Sequence, residues 1–292
     1  TKGKTSTINF IWAALTAGGY KTGIISTANI RIGEEEFLNH YHMTMPGRFT
    51  IQKLIAQMVK AGCQFCLVET TSEGIKQHRH IGIVYDLVVF TNLSPEHLEA
   101  HDRSFEKYKR MKGKIFAALA TARKTIGGRK IEKVIIANRD DANSDYFLNF
   151  QADQKVTFGL ASGADFVASE IKETNRGVEF SVSNIIFKLG ILGKFNVYNA
   201  LPAIIISRLF GINDSLISQG LLNLKIIPGR MERIELVQSF IVLVDYAHEK
   251  ESITNVLTTA NHLKNSGAKT IILLGAEGGG RDKAKRPIIG EL

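Results

Sequence analysis

Thr1-Lys2-Gly3-Lys4-Thr5-Ser6-Thr7, running without a break into Ile8-Asn9-Phe10-Ile11-Trp12-Ala13-Ala14-Leu15, is the stretch on which the fold turns. Ile8, Ile11, Trp12 and Leu15 recur at spacings of three and four, which predicts a helix over residues 4–20 with an apolar face. A Gly-Lys-Thr triplet at the start of such a helix reads as the end of a phosphate loop. Backbone N–H groups at a helix N-terminus favour phosphate oxygens. The lysine would reach the terminal phosphates and the threonine hydroxyl would ligate Mg²⁺. Gly3, Lys4, Thr5 and Ser6 are therefore candidate nucleotide-binding residues. A surface turn is the competing reading of so short a motif.

Outward from this helix, short apolar strands alternate with helical segments. Strands are expected at 22–27, 65–69, 83–90 and 134–137, and helices at 49–61 and 104–122. Near-continuous apolar strands separated by helices imply an α/β fold, with a mostly parallel sheet covered on both faces. Residues 155–187 differ: strands at 156–159, 166–171 and 178–182, separated by Gly and Asn turns, look like an antiparallel insert or edge. Helices at 195–209 and 214–222 lead to Pro228-Gly229, where a boundary is expected. A fresh strand–helix–strand unit follows at 240–245, 252–264 and 270–274.

Composition narrows the classes. The chain has 292 residues, about two domains' worth, of which 44% are hydrophobic and 22% charged, so disordered and fibrous classes are excluded. The most apolar run, Val197 to Ile212, contains Pro202, Ser207 and Arg208, so no membrane span is expected. Nothing after the first lysines resembles an export signal, and two cysteines form no disulfide framework. A cytoplasmic setting follows from these two points. The net charge of +9 favours anionic partners. The basic clusters lack interleaved aromatics, so no nucleic-acid partner is expected.

Two further constellations fall on strand ends. Glu69 closes the strand Phe65-Cys66-Leu67-Val68, on the edge where ligands bind in open α/β sheets. It is either a Mg²⁺ ligand beside the phosphate loop or a solvated strand-end charge. His97 and His101, after Phe90-Thr91-Asn92-Leu93, stand at i, i+4 spacing. Zinc would want a third protein ligand, so a single histidine on a Mg²⁺ site or a surface histidine fits better. Cys63-Gln64-Phe65-Cys66 enters a strand rather than opening a helix, which suits two small half-buried residues better than a redox pair.

The ordered set of these motifs resembles the Mur ligases. It comprises Gly3-Lys4-Thr5, Glu69 with Thr71-Ser72, Phe90-Thr91-Asn92-Leu93 with His97, Tyr108 followed by Lys112, and Asn138 with Asp140-Asp141. It continues through Gly193-Lys194-Phe195-Asn196, Pro228-Gly229-Arg230-Met231-Glu232, Asp245-Tyr246-Ala247-His248, and Gly278-Gly279 with Arg281-Asp282-Lys283. The likeness spans nearly the whole chain. It implies a P-loop ATPase-like central domain over residues 1–227, its first strand missing. Residues 228–292 would then be the truncated beginning of a Rossmann-like C-terminal domain.

The implied activity is ATP-dependent amide-bond formation in peptidoglycan precursor synthesis. An amino acid is added to a UDP-N-acetylmuramoyl dipeptide through an acyl phosphate. By resemblance, Lys4 touches the β/γ-phosphates, Thr5 and Glu69 hold one Mg²⁺, and His97 and Lys112 hold a second. An ammonium has no lone pair, so Lys112 would serve as a carbamate. Asn138, Asp141 and Asn196 would line the nucleotide, with Arg230 and Asp245 closing on it. Thr44, Pro46, Thr71, Ser72 and Arg79 would contact the UDP-sugar peptide. A monomer is expected. A folylpolyglutamate- or cyanophycin-type ligase, or a nucleotide-binding module without activity, are the alternatives. Departures from the family pattern fall at Met45 and Glu73, where relatives carry threonine and histidine, and at Glu96 and Glu249-Lys250.

Overall fold

The computed structural model describes residues 2–95, 98–121, 123–275 and 285–291. The chain runs α1 (Lys4–Ala17), β1 (Thr22–Ile25), β2 (Asn29–Ile32), β3 (Glu35–Leu38), α2 (Arg48–Lys60), β4 (Phe65–Val68), α3 (Ser72–Lys76) and β5 (Leu87–Phe90). A 3₁₀ turn at Leu98–His101 leads into α4 (Phe105–Thr121), the small hairpin β6 (Thr125–Ile126) and β7 (Arg129–Lys130), then β8 (Val134–Asn138) and α5 (Ser144–Leu148). Next come β9 (Gln154–Gly159), β10 (Phe166–Thr174), β11 (Gly177–Val182), β12 (Ile185–Leu189), α6 (Asn196–Leu209) and α7 (Asp214–Asn223). The chain continues through β13 (Glu232–Ile234), β14 (Val242–Val244), α8 (Lys250–Leu263) and α9 (Lys285–Gly290).

One six-stranded sheet has the order β12-β11-β10-β9-β8-β5, and a four-stranded one the order β3-β2-β1-β4. β5, β8, β9 and β10 run parallel, and β4 is parallel to β1. The flanks β10-β11-β12 and β1-β2-β3 are antiparallel. The α/β class with a parallel centre therefore holds, and β9, expected in the antiparallel part, pairs in parallel with β8.

The alternation on β8 shows why the centre is apolar throughout. Val134 and Ile136 pack into a core with α1 and α6, while Ile135 and Ala137 pack into a second core with α4 and α5. A strand with a core on each face has no polar side to show. A third core sits between β1, β2 and α2. Helix α1 is buried on nearly all sides, which accounts for its weak apolar periodicity. It ends at Ala17 rather than Tyr20 because Gly18 and Gly19, the latter at φ 88°, turn the chain away. Gly220 on α7 lets that helix approach α1: a Cβ there would stand 2.5 Å from the Ala13 carbonyl oxygen.

The parallel edges of β4 and β5 each have one strand partner among the described residues. Phe65 and Leu67 on β4, and Leu87 and Val89 on β5, face the same core but are only half-buried, whereas Ile136 and Phe158 in that core are fully buried. The flanks of the two edges meet where Thr70 Oγ1 lies 3.4 Å from the Tyr85 hydroxyl. Cys66 lines this seam: its thiol donates to Met58 Sδ, and the surrounding protein pushes its pKa up to about 12. Cys66 is exposed and Cys63 half-buried, so the expectation of two half-buried residues holds for one of them.

Four expectations change. The strand expected at 83–90 begins only at Leu87; β2, β3 and β12 are additional. The strand expected at 270–274 is irregular, with Ile271 and Leu273 exposed, because β14 pairs with β13 and no described strand lies beside 270–274. The hairpin β6–β7 is likewise additional.

Candidate active site

Gly3 precedes α1 with φ 77°, a conformation that favours glycine. A Cβ there would stand 2.0 Å from Asn199 Oδ1, so α6 also closes this corner. The turn places Lys4 as the first helical residue and Thr5 one step on, both at the positive end of the helix dipole. Lys4 is half-buried, while Thr5 and Ser6 are buried.

Glu69, one residue past β4, is buried and meets Thr5 directly. Thr5 Oγ1 donates to Glu69 Oε2 at 2.9 Å, and the Thr27 backbone N–H donates to the same oxygen at 2.9 Å. Arg230 arrives from the far end of the chain: its Nη2 donates to Thr5 Oγ1 at 3.2 Å, and its guanidinium lies 4.8 Å from the Tyr246 ring centre. Hydroxyl, carboxylate and guanidinium thus converge at the helix N-terminus. A carboxylate plus a hydroxyl, with water and phosphate oxygens completing the shell, is the kind of hard-oxygen set that suits Mg²⁺. The described residues contain no cluster of three or more His, Cys, Asp or Glu able to hold a metal without such help.

The loop after β5 is tied to the same corner. Asn92 Oδ1 accepts from the Lys2 N–H at 2.8 Å, and Thr91 Oγ1 and Asn92 Nδ2 donate to the Lys2 carbonyl at 3.1 and 3.0 Å. Asn138 and Asp141 brace this loop from behind: Asn138 Nδ2 donates to the Thr91 carbonyl at 2.8 Å, and Asp141 Oδ2 accepts from the Leu93 N–H at 2.7 Å. Asn196 spends its amide on the Leu192 carbonyl and accepts from Asn199 Nδ2. These three polar groups therefore hold the phosphate-loop walls. Asp245 is half-buried and accepts from the Met231 and Ala247 N–H groups at 2.7 Å each. Burial raises its pKa, against the pull of those bonds and of Arg230.

On the other side of Glu69, Thr27 Oγ1 and Thr44 Oγ1 lie 2.8 Å apart, so Thr44 extends the same polar chain. Pro46 and Met45 beside it are buried, and Met45 fills the space above Gly74. Arg79 Nη1 donates to the Met45 carbonyl and to Met43 Sδ. Thr71 caps α3 by accepting from the Gly74 N–H, and Ser72 is buried at the first turn. Lys112 Nζ lies 4.8 Å from the Tyr108 ring centre. His97 and Glu96 lie outside the described residues. The residues predicted from the sequence thus fall into a group around Thr5 and a second around Ser72, joined through Thr27 and Thr44.

Sequence reasoning missed Thr27, Asn199 and the Asn9–Asn29 pair, whose amides exchange bonds behind Thr5. Asn9 carried a signal: it is the one polar residue between Ile8 and Leu15 on α1, one turn after Thr5.

Residues 1–207 match the family model of the Mur ligase middle domain, and residues 229–292 that of the Mur ligase glutamate ligase domain. The chain belongs to the Mur ligase family. A Bacillus cereus protein named UDP-N-acetylmuramoyl-L-alanyl-D-glutamate–2,6-diaminopimelate ligase is 34% identical over 99% of this chain and 58% of its own length. A UDP-N-acetylmuramyl-tripeptide synthetase from Roseiflexus is 33% identical over all of this chain and 58% of its own length. This Mur ligase chain thus spans a little under three-fifths of those relatives. Among solved structures, one titled as a diaminopimelate-adding ligase of the same name superposes with a TM-score of 0.74 at 24% identity, over all of this chain and 57% of that one. An L. casei FPGS variant follows at 0.64 and 16%, over 91% of this chain and 71% of that one, a likeness of fold alone.

Proposed function

We propose that the chain is the catalytic centre of an ATP-dependent ligase that joins an amino acid to a UDP-N-acetylmuramoyl dipeptide. Residues 1–227 form its ATP-binding unit in this reading, and residues 228–292 begin the unit that closes on the nucleotide. The observation that carries it is the Thr5–Glu69 bond at the N-terminus of α1, with Arg230 on the same hydroxyl. Phosphoryl transfer to a carboxylate gathers negative oxygens in one place, so its catalysis depends on positioned cations and donors. Gly3, Lys4, Thr5 and Ser6 would take the phosphates, and Thr5 and Glu69 one Mg²⁺.

His97 and a carbamylated Lys112 would take the second metal. Arg230 would shift from the Thr5 hydroxyl to a phosphate oxygen once the nucleotide is bound. Asn138, Asp141 and Asn196 would line the nucleotide, and Asp245 would close on it with Arg230. Thr44, Pro46, Thr71, Ser72 and Arg79 would receive the UDP-sugar peptide. The names of the full-length relatives support this acyl substrate. A cytoplasmic monomer belongs to this reading; the described residues include no helix long and apolar enough to cross a membrane.

The test is phosphate release by the intact protein. We expect release that requires ATP, Mg²⁺, UDP-N-acetylmuramoyl dipeptide and an amino acid together. Release that ignores the UDP-sugar and follows a folylpolyglutamate-type acceptor instead would overturn the substrate. No release with any acceptor, despite ATP binding, would reduce the chain to a nucleotide-binding module.

A further inference from the structure

His101 has no part in the reading above, yet it is among the few buried polar residues near Ser72, at 4% exposure. Its Nε2 lies 3.1 Å from Ser72 Oγ, a buried pairing across 29 residues of sequence. Its ring packs against Tyr108, with centroids 5.1 Å apart, and Lys112 Nζ lies over that same Tyr108 ring. Ser72, His101, Tyr108 and Lys112 therefore form one continuous line of contact from α3 to α4.

The backbone behind His101 is unusual. Asp102 and Arg103 both have positive φ, 55° and 56°, and neither is glycine. Two such residues in succession are strained, and strain of this kind persists only where the surroundings hold it. Here the holders are the Leu98 and His101 carbonyls, which accept from the Arg103 and Ser104 N–H groups, and Lys76 Nζ, which donates to the Ala100 carbonyl at 2.5 Å. The product of that strain is a 3₁₀ turn whose last side chain points inward at Ser72.

The charged groups around the ring are Lys76 and Glu73 from α3, Asp102 from the turn, and Lys112 from α4. Burial is the largest influence lowering its pKa, ahead of the charge of Lys76.

We propose that His101 is a positioning residue for the acyl substrate: it fixes the Ser72 hydroxyl and, through Tyr108, sets its distance from Lys112. This rests on the proposed reading of Ser72 as part of the substrate segment. A ring held between Ser72 and Tyr108 suits this role, because its nitrogen meets the hydroxyl from a fixed direction. The ligand class it serves is the carboxylate-bearing end of the UDP-sugar peptide, the part that must meet the transferred phosphoryl group.

Steady-state kinetics of the intact protein test this. His101→Leu should raise KM for UDP-N-acetylmuramoyl dipeptide about tenfold, the usual scale of one lost buried hydrogen bond. KM for ATP should stay within about twofold, since nothing in this line touches the phosphate loop. His101→Gln, whose amide reaches the Nε2 position, should recover most of the loss. Ser72→Ala should match His101→Leu, and the double variant should be no worse than either, because one interaction is removed once. Additive losses, or a rise in KM shared equally by ATP, would overturn the proposal. If Ser72→Ala matters and His101→Leu does not, the positioning role alone fails. If Ser72→Ala is silent, the reading of the substrate segment fails with it. Should His101→Leu not fold, His101→Gln and His101→Asn decide: Gln near the parent and Asn raised supports the role, and equal values overturn it.

Discussion

At the phosphate end of the site, hydrogen bonds join groups that are 64, 42 and 225 residues apart: Thr5 to Glu69, Thr27 to Glu69, and Arg230 to Thr5. At the substrate end, Met45 packs on Gly74, Arg79 rests on the Met45 carbonyl, and the His101–Ser72 and Lys76–Ala100 bonds tie the turn to α3. The first region is a polar network and the second is mostly a packed junction. The departures from the family pattern that lie within the described site, Met45 and Glu73, both fall in the second. A buried network tolerates little, since removing one partner leaves another unsatisfied at a cost of about 1–3 kcal/mol. A packed junction can accept a larger apolar side chain where a small neighbour leaves room, as Gly74 does for Met45.

The contrast breaks most sharply at Lys4. Lys4→Ala in the intact protein should lower turnover by roughly three orders of magnitude or more, because a positioned cation on the transferred phosphate has no substitute. Circular dichroism should be unchanged, as the side chain sits at the first turn and is only half-buried. Near-parental turnover would show that the phosphate end is not where the chemistry happens.

How legible each end was in the sequence follows from the same difference. Gly3-Lys4-Thr5 is a local motif, so its turn and helix could be read directly. Glu69 stood out as a charge closing an apolar strand. Thr27 could not be found, because it contributes a backbone N–H that any residue provides. Nor could Asn199, whose importance lies in the absent Cβ of Gly3 facing it. Asn138, Asp141 and Asn196 came from the family resemblance alone, and their bonds to the Thr91 carbonyl, Leu93 N–H and Leu192 carbonyl are tertiary, beyond the reach of a sequence pattern. The apolar run at 270–274 read as a strand because propensity describes the segment and not its neighbours, and a strand without a pairing partner has no ladder to join.

Lys112 sharpens the comparison because it lies beside Tyr108 at the substrate end yet is proposed to hold a metal at the phosphate end. If it works as a carbamate, activity should rise with added bicarbonate, and Lys112→Ala should lose about a hundredfold or more in turnover, as expected for losing a metal-side charge. A mass increment on Lys112 in the intact protein would support the same role. Bicarbonate-independent activity together with a mild Lys112→Ala phenotype would assign the lysine to its contact with Tyr108 alone.

The smallest effect is expected at Met45. Its side chain is 1% exposed and fills the space above Gly74, where an added Cβ would stand 2.4 Å from Met45 Sδ. Met45→Thr restores the residue type of the family pattern, but here it removes buried volume and leaves a hydroxyl facing an apolar junction. The loss should be about 2 kcal/mol of stability, from the void and from an unpaired polar group. KM for the UDP-sugar peptide should change by less than about threefold, because Arg79 is held by the backbone carbonyl of residue 45, which the substitution keeps. Thermal unfolding and KM measured together separate the two contributions. A stable variant with a much-improved KM would mean that Met45 had been displacing a substrate contact, and that the two ends of the site are built on the same principle after all.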